Sequence, residues 1–157
     1  MKIMFICTGN ICRSAMAHGL LEKRLEENKI ENVKVYSCGI YAEDGDGASY
    51  NAIEAMKDYD VDLRSHRATS IRNSAIQDMD LILCMTRSHK HSVLALYPEL
   101  QGKVFTLKEY VKYQDSSQNI DISDPWGYDL ETYRRCAEEL DICISLLIEK
   151  IKNNIDK

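Results

Sequence analysis

Apolar positions in this chain fall into two rhythms that alternate along its length. Residues 2–7 form a short, nearly unbroken apolar run that enters a Gly-Asn turn, the pattern of a strand covered on both faces. Over residues 13–28, Met16, Ala17, Leu20, Leu21 and Leu25 recur at helical spacing while charges fill the other face. Residues 33–38 alternate like a second strand and stop at Gly39. An acidic, glycine-containing loop follows over residues 42–49, then a helix over 49–59 with Ala52, Ile53 and Met56 on one side. Residues 80–85 are again a continuous apolar run and predict a third strand. A helix over 87–96 ends before Pro98, and residues 103–107 predict a fourth strand. The polar stretch 108–128 carries no periodicity. Beyond it, residues 130–153 predict a long amphipathic helix whose buried stripe is Leu140, Cys143, Ile144, Leu147, Ile148 and Ile151.

Strands alternating with helices imply a parallel sheet with helices on both faces, joined by right-handed crossovers. The class is therefore α/β, in three layers. No repeat, low-complexity tract or linker divides residues 1–157, so one domain is expected.

Composition narrows the function. A net charge of −5 leaves no broad basic face for nucleic acid or an acidic membrane surface, so any bound anion must be caught by a local site. The apolar N-terminal run is too short for a signal segment or a membrane span. The cysteines stand at 7, 12, 38, 84, 136 and 143, four of them inside apolar strand or helix patterns. Without a leader they read as buried, reduced thiols in a cytoplasmic protein rather than as a disulfide framework. A zinc site is not expected: Cys7 and Cys12 lack ligand spacing, and His89 and His91 have no partner pair nearby.

Chemistry concentrates where the first strand meets the first helix, in Cys7-Thr8-Gly9-Asn10-Ile11-Cys12-Arg13-Ser14. In a parallel α/β sheet, ligands bind at the carboxyl ends of strands. A strand-to-helix loop turns successive N–H groups inward as an anion cradle, with the positive end of the helix dipole behind it. Gly9 and Asn10 tolerate the dihedrals such a cradle needs, and Arg13 supplies a planar fork for two phosphate oxygens. A thiol centred there feels the same positive potential, which favours the thiolate nucleophile. Ser14 is placed to donate to that sulfur. Taken alone, Cys7 reads equally as a buried strand residue; its place at the junction, with Gly-Asn inside the loop, sets it apart. The Gly-x-x-x-x-Gly-Lys-Ser/Thr pattern of a nucleotide loop is absent.

These eight residues resemble the signature of the low-molecular-weight protein tyrosine phosphatases, and Ser65-His66-Arg67 and Asp124-Pro125 resemble further landmarks of that family in the same order. The resemblance spans the chain. It implies a four-stranded parallel sheet of order 2-1-3-4, cysteine-dependent hydrolysis of protein phosphotyrosine through a phosphocysteine, and no cofactor. Ala15 departs from the pattern, which has proline there.

Hydrolysis needs an acid to protonate the leaving oxygen. Asp115, Asp121, Asp124 and Asp129 precede the last helix, but Asp124 alone is followed by proline, which holds it extended within a long connection of the kind that forms functional lids. The resemblance implies that Asp124 is the general acid, and that Trp126 is a wall for a substrate ring rather than a core residue. Tyr128, beyond it, is expected in the same substrate pocket, and Tyr41 is a candidate for the opposite wall. The resemblance also implies that His66 lies beneath the loop and bonds toward Asn10, with Ser37 joining that network. Cys12 either fills space beneath the helix or traps an oxidised Cys7 as a reversible disulfide.

Related arsenate reductases pass a disulfide to a further cysteine close after the third strand, and residues 86–97 hold none. Two readings from other classes stay open, a phosphocarrier and a catalytically silent phosphoprotein-binding module. Ile11 is expected at the pocket mouth, where a branched apolar side chain suits phosphotyrosine. Relatives that act on phosphoarginine share Thr8 and the Asp-Pro-aromatic-Gly stretch but carry threonine in place of Ile11, so arginine phosphatase is the alternative. The partners expected are phosphorylated proteins, with neither nucleic acid nor membrane, acted on by a monomer or weak dimer.

Overall fold

The computed structural model describes residues 1–113 and 118–155, and its elements alternate as the two rhythms predict. In order they are β1 (Lys2–Cys7), α1 (Arg13–Glu27), β2 (Lys34–Gly39), α2 (Tyr50–Lys57), β3 (Leu81–Cys84), α3 (Arg87–Leu96), β4 (Val104–Thr106), α4 (Leu107–Val111) and α5 (Leu130–Ile155). The sheet is parallel throughout and runs β2-β1-β3-β4, which places β1 in the interior, as the resemblance implies.

Why β1 shows no alternation is visible in its packing. Ile3, Phe5 and Cys7 face the layer built by α1, α2 and α5. Met4 and Ile6 face the other core with Cys38, Ile82, Cys84, Val93 and Val104. Both faces are covered, so every position from Ile3 to Cys7 is buried. The stripe expected on α5 is buried as read, and it closes the first layer against α1. Cys136 and Cys143 belong to that layer, and all six cysteines are buried.

One element was not anticipated. The stretch after β4 begins with a short helix, nucleated by a capping box: Thr106 Oγ1 accepts from Glu109 N at 3.2 Å and Glu109 Oε2 accepts from Thr106 N at 2.7 Å. Its sequence mark, Thr-x-x-Glu, is present but sits among polar residues that hide it. The remaining described residues of the connection, 118–129, are irregular as expected, and Asp115 lies outside the described residues.

Two backbone features shape the carboxyl end of the sheet. Asn10 takes a left-handed φ of 56°, a region that asparagine enters more readily than most residues. Gly39, closing β2, passes so near the loop that a Cβ there would lie 2.5 Å from Thr8 O and 2.9 Å from Asn10 N. Only glycine leaves room for that approach. Gly9 needs no such freedom: its added Cβ would meet just one side-chain atom at 3.6 Å, an ordinary contact. The unusual dihedral therefore falls to Asn10 alone within Gly9-Asn10.

Candidate active site

The loop between β1 and α1 holds its shape by bonds to three other segments. Ile40 N and Tyr41 N donate to the carbonyls of Cys7 and Thr8, at 3.0 and 2.9 Å, and Ser49 N donates to Ile11 O at 2.9 Å. Asn10 is fully buried and satisfied on every side. Its Oδ1 accepts from Thr69 N at 3.0 Å, and its Nδ2 donates to Ser14 Oγ at 2.8 Å. His66 Nε2 donates to Asn10 O at 2.7 Å, since a carbonyl only accepts. Burial pushes His66 below the usual histidine range, so the ring is neutral at pH 7 with its proton on Nε2.

The nucleophile candidate sits at the end of this network. Cys7 Sγ lies 2.9 Å from Ser14 Oγ, and Asn10 N–H points to it at 3.3 Å. Because Ser14 Oγ already accepts from Asn10 Nδ2, its own hydrogen is free to point at the sulfur. Two donors therefore converge on one sulfur.

Arg13 is 4% exposed. One Nη donates to Ile122 O at 2.8 Å, and the other lies 3.5 Å from Asp124 Oδ2. Its Nε is buried with no partner among the described residues, so the guanidinium keeps an unanswered donor within the loop. Ile122 N donates in turn to Met85 O, just past β3, which ties the acid-bearing segment to the sheet. Asp124 itself is half exposed, with Oδ1 accepting from Trp126 N at 3.1 Å.

A cavity of about 320 Å³ joins these groups, lined by Cys7, Thr8, Gly9, Ile11, Cys12 and Arg13 of the loop together with Tyr41, Glu43, Asp46, Asp124 and Trp126. Trp126 is 62% exposed and so is not a core residue. Tyr41 is exposed and lines the cavity. Two expectations need correction. Tyr128 does not line this cavity: Tyr128 N bonds back to Pro125 O at 3.0 Å, and Gly127 with φ 86° turns the chain away before it. Ser37 does not reach Asn10; it lies mid-strand and bonds His18 Nδ1 at 2.8 Å, one ring removed from His66.

Cys12 has a footing in both of its expected roles. It is buried, 3.2 Å from Tyr133 Oη and 3.4 Å from Ser49 Oγ, yet it also lines the cavity with Cys7. Burial pushes its thiol up, leaving it protonated at pH 7. Tyr133 and His89 are the contacts the sequence did not reveal. His89 Nε2 lies 2.9 Å from Thr8 Oγ1 and its Nδ1 lies 2.8 Å from Thr86 Oγ1. Thr8 and His89 are 81 residues apart, and only the fold joins them. Among the described residues no three His, Cys, Asp or Glu side chains cluster to hold a metal ion. None of the described helices is long and apolar enough to cross a membrane.

Comparison with known proteins places the whole chain beside one family. The family model for low molecular weight phosphotyrosine protein phosphatase matches residues 2–157. A protein-arginine-phosphatase of Geobacillus stearothermophilus is 36% identical over 151 residues, covering 96% of each chain. The crystal structure of a low molecular weight protein tyrosine phosphatase from T. tengcongensis superposes with a TM-score of 0.87 at 40% identity, covering 96% of this chain and 99% of that one. A serine mutant of the arginine phosphatase YwlE, with its active-site serine phosphorylated, superposes with a TM-score of 0.88 at 33% identity, covering 97% and 96%.

Proposed function

This chain belongs to the low molecular weight phosphotyrosine protein phosphatase family, and on that premise we propose that it hydrolyses protein phosphotyrosine with Cys7 as nucleophile and Asp124 as general acid. The observation that carries the reading is one cavity lined by Cys7, Asp124 and a buried Arg13, whose Nε has no partner among the described residues. Arg13 Nε and the loop N–H groups take the phosphoryl oxygens, and the dianion displaces Asp124 as the guanidinium's partner. Cys7 attacks phosphorus: an S–P bond forms, the bond to the leaving oxygen breaks, and Asp124 gives that oxygen a proton. Water then attacks the phosphocysteine while Asp124 takes its proton back. The sulfur leaves as thiolate, steadied by Ser14. The phosphorylated serine in the related mutant supports a covalent intermediate at this position.

No step calls for a metal or cofactor. Cys84 packs in the core on the far face of the sheet from Cys7, which argues against a disulfide relay. The net charge of −5 argues against nucleic acid as a partner. The buried cysteines suit a cytoplasmic protein, working as a monomer or weak dimer. Incubation with an aryl phosphate and chelator tests the whole reading. Steady turnover, lost in Cys7→Ser, is expected; a wild type that is phosphorylated once and stops is a phosphocarrier, and one that only binds is a recognition module.

Ile11 supports tyrosine, since it lines the cavity with the aromatic side chains of Tyr41 and Trp126. A second reading, protein arginine phosphatase, is favoured by Glu43 and Asp46, whose carboxylates join Asp124 in the lining and suit a cationic leaving group. Rates on phosphotyrosine and phosphoarginine peptides, measured for wild type and Ile11→Thr, separate the two. Tyrosine preference that reverses in the variant is expected; equal preference in both proteins removes Ile11 as the determinant.

A further inference from the structure

We propose that His89 is a positioning residue that holds the Thr8 hydroxyl as a hydrogen-bond donor to the phosphorylated substrate. Thr8 follows Cys7 in the loop, is exposed, and lines the cavity. Its Oγ1 lies 2.9 Å from Nε2 of His89, which is 7% exposed in the first turn of α3.

The direction of each proton follows from counting donors. Thr86 Oγ1 accepts from His89 N–H at 3.2 Å, the N-cap bond of α3. The same oxygen lies 2.8 Å from His89 Nδ1. A neutral imidazole has one N–H, so one of its two contacts donates and the other accepts. If Thr86 gives its only hydrogen to Nδ1, every group is satisfied: Nε2–H donates to Thr8 Oγ1, and the Thr8 hydrogen is free to turn into the cavity. The other tautomer points the Thr8 hydrogen back at the ring and leaves the Thr86 hydrogen unplaced among the described residues. Burial, with the Arg13 charge acting in the same direction against Asp124 and Asp121, holds the ring down to about 4, so it is neutral at working pH.

The imidazole is not needed to cap α3, because Thr86 does that with its own oxygen and the His89 backbone. What the ring adds is a bridge from the start of α3 to the residue beside the nucleophile. Thr8 then stands with Arg13 Nε and the loop amides as a donor to phosphoryl oxygens, fixed in direction before substrate arrives.

The inference rests on the phosphatase reading, so turnover of an aryl phosphate and binding of inorganic phosphate are measured side by side. Thr8→Val is expected to lower kcat/KM about tenfold, the scale of one hydrogen bond, with Thr8→Ser restoring most of it. His89→Phe keeps the ring volume and is expected to lose a similar factor. The double variant Thr8→Val with His89→Phe is expected to be no worse than Thr8→Val alone. Nitrogen NMR of the wild-type ring, which requires no variant to fold, is expected to show a neutral Nε2–H tautomer from pH 5 to 8. Thr8→Val turning over at the wild-type rate, additive losses in the double variant, or an Nδ1–H tautomer each overturn the proposal while leaving the phosphatase intact. A wild type that binds phosphate but never turns over, with binding weakened in Thr8→Val, overturns the phosphatase reading and keeps the donor.

Discussion

The two halves of the candidate site are built differently. The phosphate loop is buried, threaded by β1, and bonded to three other segments, so that Cys7, Asn10 and Ser14 have their geometry before a ligand arrives. The acid side is exposed: Asp124 and Trp126 reach over the cavity from an irregular segment anchored chiefly where Ile122 bonds Met85 N-terminally and Arg13 laterally. A nucleophile and an anion cradle gain from preorganisation, since misplacement by an ångström weakens every donor at once. An acid that must approach substrates of varying shape, act, and let product leave gains from freedom. The Arg13–Asp124 contact, at 3.5 Å, joins the two halves.

That contrast can be broken at the rigid side first. Arg13→Lys replaces a planar fork with a point charge, and turnover is expected to fall by about 10³-fold, with phosphate affinity falling too. Arg13 retained by lysine at near wild-type rate would mean that the fork is not the phosphate clamp. Asp124→Ala acts on the exposed side. Turnover is expected to drop by about 10²- to 10⁴-fold, but inorganic phosphate should bind as well or better, because the carboxylate that competes for Arg13 is gone. Steady-state rates and calorimetric affinity read the two effects separately.

Gly39→Ala probes whether the loop's rigidity is imposed from outside. Its Cβ would collide with the Thr8 carbonyl and the Asn10 amide, so stability is expected to fall by about 1–3 kcal/mol, with a loss of activity beyond that seen for an equally destabilising core substitution such as Ile148→Val. Equal activity loss in two variants matched for melting temperature would show that the glycine serves only packing.

His89 sharpens the same contrast through pH. Its pKa is about 4 when folded, against an unfolded value near 6.5, so the unfolded chain binds more protons between those values. The stability this neutral ring contributes is fully present above about pH 6.5 and is lost as pH falls toward 4. Melting temperature is thus expected to drop on acidification from pH 7 to 4.5, and to drop less in His89→Phe. Parallel curves for the two proteins would remove His89 as the cause. The smallest effects belong to the walls: Trp126→Ala is expected to cost a few-fold in KM for an aromatic substrate, and Tyr128→Ala almost nothing, as only the former lines the cavity.

What the sequence made legible follows the same division. The strand–loop–helix that carries Cys7 and Arg13 is local, and eight consecutive residues announce it. β1 reads as a buried strand because both its faces are covered, and α5 reads as a helix because one stripe is. Contacts made across the chain left no local mark, and only the resemblance pointed to one of them, His66 with Asn10. His89 meets Thr8 from 81 residues away, and Tyr133 meets Cys12 from 121 away; nothing near either residue in sequence signals the pairing. Ser37 was matched to the wrong histidine, because strand register alone does not say that His18 on α1 stands between it and His66. Tyr128 reads as a cavity residue beside Trp126, but two residues suffice to reverse a chain when one of them is Gly127. The helix α4 had a local signal in Thr106 and Glu109, outweighed by the polarity around it.

Covalent capture tests the central claim most directly. Wild type and Asp124→Ala are mixed with a phosphotyrosine peptide, quenched in acid within the first turnover, and mapped by mass spectrometry. Phosphate is predicted on the peptide that carries Cys7, forming and decaying at rates consistent with turnover. Hydrolysis that proceeds with no phosphorylated Cys7, or with phosphate on another residue, would contradict the account.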